Sequence, residues 1–379
     1  MTIMDIFEGR YYKLPRWFLL QTGLWPYQEG QKRFARIVVI YLLVASWVVP
    51  QVIIWLEEWG KNITITFENA GTLIFSLAAV TKHNATYLGS SSMKSLLLRI
   101  AKDWSKIIKK REKDLLIQYS NDAYMLVAFY TVYLCFAWIS YSAMPLLPYS
   151  MDLIYPLNTS RPILMPFFAD YVFFDQKDHH FFACVHITIV TFAFFLIFSG
   201  IDGIYVLIVT HTCGLFAITC DRFDLKKQSL VSNVINGYSY DREQRRLIKA
   251  ISIHNEALRC VREIEEAFSR SFLVIQLTST LQLSLGAVYI LYFCDDALRK
   301  FRITALYIGI IIHLLYFNMI GQKLSDSSER VFNAAYFCDW YLFPPKQQKM
   351  IKLVLCRSQR PCQLTAGGVV VLSMESFGK

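Results

Sequence analysis

The sequence predicts an all-α integral membrane protein whose N-terminus lies in the cytoplasm. Its composition is the first observation, since 55% of the residues are hydrophobic and 18% are charged, against roughly 45–50% and about 25% in soluble domains. Six apolar stretches are the second, because each is long enough for a membrane helix of about 20 residues. The third is that Lys and Arg concentrate in alternate segments between these stretches, as they do on the cytoplasmic side of membrane proteins.

The apolar stretches define six predicted membrane spans. We place the spans at residues 37–56, 67–88, 124–147, 183–213, 268–293 and 303–321. The second span is the weakest because Lys82 and His83 interrupt its inner end, where a lysine that reaches toward the membrane surface is tolerated. The fourth stretch exceeds a single span and contains Ser199-Gly200 and Asp202-Gly203. It therefore fits either one long helix or a hairpin of two short helices.

The distribution of positive charge orients the chain. With the N-terminus inside and the fourth stretch as one helix, the cytoplasmic segments carry roughly four times as many Lys and Arg as the outside loops. Splitting the fourth stretch would send Arg242, Arg245 and Arg246 outside, so we predict one continuous helix. The glycosylation sequons at Asn62 and Asn158 then fall in outside loops, which agrees with this orientation.

A helical stripe precedes the fifth span. It runs from Leu247 to Phe268 at alternating steps of four and three residues, with His254 and Glu265 as its polar members. This spacing is typical of a helix that packs along one face. No Pro or Gly separates the stripe from the span, so we predict that residues 240–267 extend the span's helix into the cytoplasm. The stripe fits packing within the chain as well as a contact between subunits.

The chain shows no signature of an enzyme, a metal site or a nucleic-acid-binding protein. It contains no P-loop, GxSxG or HExxH motif, its nine cysteines lack ligand spacing, and its net charge of +10 accompanies no nucleic-acid-binding motif. Asp202 lies within a span, where a charge needs a partner and indicates function by default. A transporter would need more such groups and a visible internal repeat. We therefore predict no catalytic residue, no cofactor, no metal and no nucleic-acid partner.

The second half of the chain carries the motifs of a known receptor family. Around the fifth span these are His254, Ile264-Glu265, Phe268 and Gln276. The tail matches more closely, through Gly321-Gln322, Ser327-Ser328, Ala334-Ala335-Tyr336, Trp340-Tyr341, Arg357-Ser358-Gln359-Arg360-Pro361 and Leu364-Thr365-Ala366-Gly367. With Gly23-Leu24-Trp25-Pro26 near the N-terminus, these motifs make the chain similar to the insect odorant receptor family.

The resemblance implies a seven-helix fold with a cytoplasmic N-terminus and a ligand-gated channel. Family members form hetero-tetramers with a shared olfactory coreceptor in the lipid membrane of sensory neurons, where a volatile odorant opens a non-selective cation channel. Their seventh helix is broken into a cytoplasmic anchor part, here about residues 326–358, and a pore-lining part. This divides the chain into a cytoplasmic segment 1–36, a six-span domain 37–321, and a segment 322–379 with the anchor and the start of the pore helix.

The resemblance ends before the pore helix is complete. Residues 372–377 resemble the start of that helix, but only Gly378 and Lys379 follow, whereas a crossing needs about 20 residues. Gly367-Gly368 also stands where the family usually has Gly-Lys. We therefore expect a truncated isoform, a partial gene model or a degraded gene, whose product keeps a ligand pocket but lacks its part of the pore wall. The alternative functions are a non-conducting truncated receptor and a seven-span receptor coupled to G proteins, whose arrangement a cytoplasmic N-terminus would invert.

The implied odorant site lies among spans two to six in the outer half of the membrane. The predicted ligand-binding residues are Gly71, Phe75, Trp138, Tyr141, Ser142, Thr188, Phe192, Phe195, Gln282, Leu285, Tyr289 and Tyr307. An aromatic site with a few polar groups suits a small volatile apolar molecule, although aromatic residues at helical spacing also fit packing or lipid contact. The predicted subunit-anchor residues are His254, Phe268, Tyr336, Trp340 and Tyr341.

Overall fold

The computed structural model is a bundle of long helices with a small two-stranded sheet near the C-terminus. It describes residues 5–155, 168–171, 176, 179–224, 238–294 and 297–378. In chain order the helices are α1 (Lys13–Gln21), α2 (Gly30–Glu58), α3 (Ile63–Leu88), α4 (Ser90–Lys106), α5 (Lys110–Ala143), α6 (Leu147–Ile154), α7 (His180–Phe223), α8 (Tyr238–Tyr292), α9 (Ala297–Tyr336), α10 (Pro345–Ser358) and α11 (Met374–Gly378). Strands β1 (Thr365–Ala366) and β2 (Val370–Val371) pair antiparallel.

Within these described residues, six helices are long and apolar enough to cross a membrane. They are α2, α3, α5, α7, α8 and α9, and each corresponds to one predicted span. Helices α5 and α8 end at Ala143 and Tyr292, before the predicted spans end at 147 and 293. The prediction of an all-α membrane protein with six spans is therefore confirmed. Asn62 caps α3, since its side chain accepts a hydrogen bond from the backbone N–H of Ile65 at 3.3 Å. The other predicted sequon, at Asn158, lies outside the described residues.

Helix α7 is the centre of the bundle. It is unbroken and contacts α1, α2, α3, α4, α5, α8 and α9. A helix that is apolar around its whole circumference is stable only when other apolar groups surround it, and nearly every residue between 193 and 216 is buried. The fourth stretch is thus one continuous helix, as the charge distribution predicted, and Ser199-Gly200 does not interrupt it.

Two glycines let the N-terminal segment pack closely on α7. A Cβ atom at Gly200 would lie 3.1 Å from Cβ of Phe18, and one at Gly203 would lie 3.0 Å from Cγ of Pro15. After α1, the carbonyl oxygen of Thr22 lies 3.1 Å from Nε2 of His83 near the end of α3. The N-terminal segment and the basic segment that follows α3 therefore lie on one side of the bundle. The charge distribution predicts that this side is the cytoplasm.

Helix α8 joins the predicted extension to the fifth span without a break. The stripe residues His254 and Phe268 are buried among the chain's own helices. On a neighbouring face, Arg99 of α4 forms ion pairs with Glu256 and Glu263. The stripe therefore packs within the chain, which is the first of the two interpretations that its spacing allowed.

The tail differs from the single anchor helix that was expected over residues 326–358. Helix α9 ends at Tyr336, and Asp339 adopts a left-handed backbone conformation with φ of 55°. Pro344 and Pro345 then begin α10. Because a left-handed residue and a proline both stop a helix, the segment forms two helices with a turn between them.

The β1–β2 hairpin docks on α8 through a carboxylate. Oε2 of Glu265 accepts a hydrogen bond from the backbone N–H of Thr365 at 2.9 Å, and Oε1 accepts from the hydroxyl of the same residue. The N–H of Gly367 donates to the carbonyl oxygen of Ser269 at 2.9 Å. Gly367 and Gly368 both have positive φ, 65° and 73°, as a type I′ hairpin turn requires. The motif Leu364–Gly367 is therefore a structural connection between the tail and α8.

Replacing Glu265 with alanine is expected to loosen this hairpin. The substitution removes the acceptor of the backbone N–H of Thr365, and a buried donor that is left without a partner costs about 1–3 kcal/mol. Limited proteolysis of the purified protein should then cleave the segment after residue 358 earlier than in the wild type. Glu266→Ala, which changes an exposed neighbour, is the control. Equal cleavage rates in the two variants would contradict the role assigned to Glu265.

Candidate ligand-binding cavity

An internal cavity lies among the candidate membrane spans. Its volume is about 300 Å³, at the lower end of the range of roughly 300–1,000 Å³ that is usual for small-molecule sites. Side chains of α2, α3, α5, α7, α8 and α9 line it. The helices around the cavity thus include spans two to six, where a ligand site was predicted from the sequence.

Aromatic rings form much of the cavity wall. Phe75 of α3 stacks on Phe198 of α7 with ring centres 5.3 Å apart, and meets Phe194 edge-on at 5.5 Å. Trp138 of α5 stacks on Phe195 of α7 with ring centres 6.2 Å apart. Such pairs contribute about 0.5–1.5 kcal/mol each beyond their burial. Ring packing within the chain therefore shapes the wall.

One end of the cavity, near the start of α3 and α9, carries an ion pair. Glu68 forms a close ion pair with Arg302 and a longer one, at 3.4 Å, with Arg299. The hydroxyl of Tyr289 donates a hydrogen bond to Oε1 of Glu68 at 3.3 Å, and its ring stacks on Phe67 with centres 5.7 Å apart. Opposite charges thus meet at this end, and Glu68 and Arg302 both lie on the wall.

A second polar group lies behind the opposite end. Asp202 of α7 is fully buried and forms an ion pair with Lys82 of α3. Its Oδ2 accepts a hydrogen bond from the Tyr130 hydroxyl at 3.1 Å and lies 3.3 Å from Nε2 of His313. Tyr130 and His313 both line the cavity. The partner of Asp202 that the sequence did not reveal is therefore Lys82.

The interpretation of Lys82 as a side chain that reaches the membrane surface is wrong. Its side chain is 1% exposed, and Nζ lies 4.6 Å from the ring centre of Phe198 and 5.0 Å from that of Phe317. A charge removed from water needs a counter-charge and polar or aromatic partners, and Asp202 with these rings supplies them. The Lys82 side chain therefore points into the bundle, because its partner Asp202 lies there.

Nine of the twelve predicted ligand-binding residues lie on the cavity wall. These are Gly71, Phe75, Trp138, Tyr141, Phe195, Gln282, Leu285, Tyr289 and Tyr307. Two of them connect α8 to α3, since Nε2 of Gln282 donates a hydrogen bond to the carbonyl oxygen of Gly71 at 2.9 Å. Their location follows from helical phase, whereas their contact with a ligand stays a prediction.

The other three predicted residues, Ser142, Thr188 and Phe192, lie outside the wall. The carbonyl oxygen of Thr188 accepts a hydrogen bond from Nε1 of Trp138 at 3.2 Å, and the ring of Phe192 packs against Trp138 with centres 5.0 Å apart. Both therefore support Trp138 from behind. Spacing along one helix identifies a face but does not show which neighbouring side chain covers it.

Sequence reasoning missed several polar residues of the wall. Tyr130, His313, Glu68 and Arg302 line the cavity and were not among the predicted site residues. The available signal was charge complementarity, because a lysine and an aspartate within two different spans need each other as partners. That signal would have paired Lys82 with Asp202. Tyr130 and His313, the two wall residues that contact Asp202, could then have been found from this pair.

The predicted subunit-anchor residues fall into two groups. His254 and Phe268 are each 4% exposed and contact the chain's own helices, so a partner subunit cannot reach them in this conformation. Tyr336 and Tyr341 are 52% and 62% exposed. Trp340 is partly buried, with Nζ of Lys352 5.5 Å from its ring centre. A contact with another subunit stays a prediction that rests on the exposed tyrosines.

The fold and the cavity together define a class of protein. Six candidate membrane spans surround an internal aromatic site of small-molecule size. The model of the 7tm Odorant receptor family matches residues 62–379. The chain therefore belongs to the 7tm Odorant receptor family. This membership confirms the family that the sequence motifs indicated, and it agrees with the prediction that the chain is not an enzyme.

Curated relatives match over parts of their length. Odorant receptor 10a of Drosophila melanogaster is 22% identical over 44% of this chain and 41% of its own length. The Odorant receptor coreceptor of Aedes aegypti is 27% identical over 33% of this chain and 26% of its own length. The chain thus matches less than half the length of these relatives.

Solved structures match over almost the whole chain. The insect olfactory receptor OR5 from Machilis hrabei, in complex with eugenol, superimposes with a TM-score of 0.75 at 12% identity, over 98% of this chain and 96% of that chain. A further structure of OR5 gives a TM-score of 0.71 at 13% identity. These superpositions confirm the predicted insect odorant receptor fold.

Proposed function

We propose that this chain is the odorant-binding subunit of a ligand-gated cation channel. A small volatile molecule binds in the cavity, and the chain acts with an olfactory coreceptor in a hetero-tetramer in the plasma membrane of sensory neurons. The observation that carries the proposal is the aromatic cavity between the spans of a chain that belongs to the odorant receptor family.

The charges around the cavity support an uncharged ligand. On the wall, Glu68 pairs with Arg302, and behind it Asp202 pairs with Lys82. A charged ligand would add a charge without a counter-ion to these surroundings, and such a charge costs several kcal/mol after removal from water. The ring faces instead favour an apolar body through many weak dispersion contacts.

Similar proteins support the ligand and the partner. OR5 from Machilis hrabei forms a complex with eugenol, and odorant receptor coreceptors from Aedes aegypti and Drosophila melanogaster are among the chain's relatives. We extend to this chain both a small-molecule ligand and assembly with a coreceptor.

The proposed topology has the segments 1–36, 240–267 and 322–379 in the cytoplasm. Packing supports a common side for them, since α1 lies against Gly200 and Gly203 of α7. Close to these glycines, Tyr205 of α7 contacts Phe268 of α8, next to the residue Ser269 that binds the hairpin. An epitope tag at the N-terminus should therefore bind its antibody only after the cells are permeabilised. Detection of the tag on intact cells would contradict both the topology and the channel function that depends on it.

Cells that express this chain with the coreceptor are expected to give calcium responses to some members of a panel of uncharged volatile compounds. Ligand binding should require this chain. Cells that express the coreceptor alone should therefore not respond to the same set of compounds. Surface labelling of the chain confirms that both cultures are comparable. An identical pattern of responses with and without this chain would contradict the proposed function.

A further inference from the structure

The end of the cavity farthest from Glu68 differs chemically from the rest of the wall. Lys82, Tyr130, Asp202 and His313 meet there, and we refer to these four residues as the polar floor. The side chains of Asp202 and Lys82 are 0% and 1% exposed, whereas 14% of the His313 side chain is exposed. His313 is therefore the member of the polar floor that a ligand in the cavity can contact most readily.

The hydrogen bonds assign the donors of the polar floor. A carboxylate only accepts hydrogen bonds, and Oδ1 of Asp202 contacts Lys82. Its Oδ2 accepts from the Tyr130 hydroxyl at 3.1 Å and lies 3.3 Å from Nε2 of His313. Nζ of Lys82 lies farther from Nε2, at 3.5 Å. The tautomer that satisfies Asp202 thus carries its hydrogen on Nε2, directed at Oδ2.

In this tautomer His313, which lines the cavity, keeps a hydrogen-bond acceptor at Nδ1. Lys82 already balances the single negative charge of Asp202, so a second positive charge on His313 would be uncompensated. A neutral imidazole with a hydrogen on Nε2 has a lone pair on Nδ1. The hydrogen bonds of His313 to described residues involve Nε2. The Tyr130 oxygen also keeps acceptor capacity after donating its hydrogen to Asp202.

We infer that the polar floor selects ligands with a hydrogen-bond donor, such as an alcohol or a phenol, whose hydroxyl binds Nδ1 of His313. The inference rests on the proposed function, because it names the ligand class of the same cavity. His313 lies eleven residues after Arg302 on α9, and both line the cavity, so about 16 Å of helix separates its two polar ends. The apolar body of the ligand would lie along the aromatic wall between them.

Compounds without a donor gain nothing from the polar floor. A hydrocarbon that fills the cavity leaves the lone pair of His313 without a partner, and an unsatisfied polar group in a buried site is costly. An ether, ketone or ester brings only acceptors, so its oxygen would face a lone pair. We therefore predict that compounds with a hydrogen-bond donor bind more tightly than compounds without one, whether or not the latter are polar.

Matched compounds test the inference with the unaltered chain. The receptor, purified with its coreceptor, is heated with para-cresol, para-methylanisole or para-xylene, and in a second series with hexanol, hexyl methyl ether or heptane. We expect the hydroxyl compound of each series to shift the Tm at roughly tenfold lower concentration than its donor-free partners. Calcium responses in cells should follow the same order.

The outcomes separate this inference from the proposed function. Equal affinities within each series would overturn the donor selection and leave odorant binding in place. No Tm shift with any of the six compounds would also overturn the inference, since it predicts that the hydroxyl compounds bind. The response to the wider volatile panel would then decide the proposed function by itself.

A substitution at His313 identifies the selecting group. His313→Phe removes the acceptor and keeps a ring that packs against Phe317, whose ring centre lies 4.8 Å away. The preference for the hydroxyl compound should fall to about twofold or less, because the hydrogen bond is lost. His313→Gln, which restores an acceptor, should recover part of it. Tyr316→Phe, which removes a hydroxyl from a residue that does not line the cavity, should keep it in full. An unchanged preference in His313→Phe would overturn the role of His313.

Discussion

Asp202→Leu is expected to remove most of the folded receptor from the cell surface. The substitution leaves Lys82 in the interior without its counter-charge, and it also removes the acceptor of Tyr130 and His313. Breaking a buried ion pair from one side costs about 3–5 kcal/mol, a large share of the roughly 5–15 kcal/mol that stabilises a typical folded protein. The Tm of the purified receptor and its surface-labelled fraction should both fall.

A double substitution separates the charge from the packing. Lys82→Met combined with Asp202→Leu removes both charges while keeping apolar volume, and such replacements are often neutral or stabilising. We expect the double variant to recover most of the Tm that Asp202→Leu loses, which a double-mutant cycle measures as a coupling energy. A double variant as unstable as the single one would assign the loss to packing around Asp202.

Gly286→Ala is expected to weaken the response to every active volatile. A Cβ atom at Gly286 would overlap the ring of Tyr307, and both residues line the cavity, so the ring must shift and change the shape of the site. A difference of one methylene in an apolar pocket changes affinity by about 10- to 200-fold. The half-maximal concentration in the calcium assay should rise by a factor in this range.

Gly71→Ala is the graded comparison for this variant. Gly71 also lines the cavity from a helix, but nothing lies within 4 Å of the position that its Cβ would occupy, so no wall side chain has to move. We therefore expect Gly71→Ala to raise the half-maximal concentration less than Gly286→Ala does. Both variants gain a similar helix propensity of about 0.8–1 kcal/mol, so a general effect on the helices would appear in both. Normal responses in Gly286→Ala would show that ligands bind elsewhere.

Hydropathy and charge were sufficient to predict the six spans and the continuity of α7, because the bilayer fixes the length of an apolar helix and the side of its basic flanks. The tail was harder to predict. Its break depends on the left-handed backbone of Asp339, and β1 and β2 have two residues each, which is too short for a periodic pattern. The connection between Thr365 and Glu265 is a tertiary contact that no local pattern shows.

The cavity was predictable where helical phase decides which residues face inward. Phase placed nine residues on the wall but did not show that Thr188 and Phe192 lie behind Trp138. The polar floor depends on which helices are neighbours, since Lys82 and Asp202 belong to α3 and α7. Each looked like an isolated exception in its own span, and only the fold shows that they are one group.

The polar floor also has a consequence for how this receptor changes over evolutionary time. Lys82, Tyr130, Asp202 and His313 come one each from α3, α5, α7 and α9. A mutation that removes one charge of the Lys82–Asp202 pair destabilises the fold until the opposite charge is also lost. We therefore expect the two residues to be replaced together during evolution. Because that step also alters the chemistry that an odorant meets, we expect tuning at this end of the cavity to diverge abruptly between sister genes.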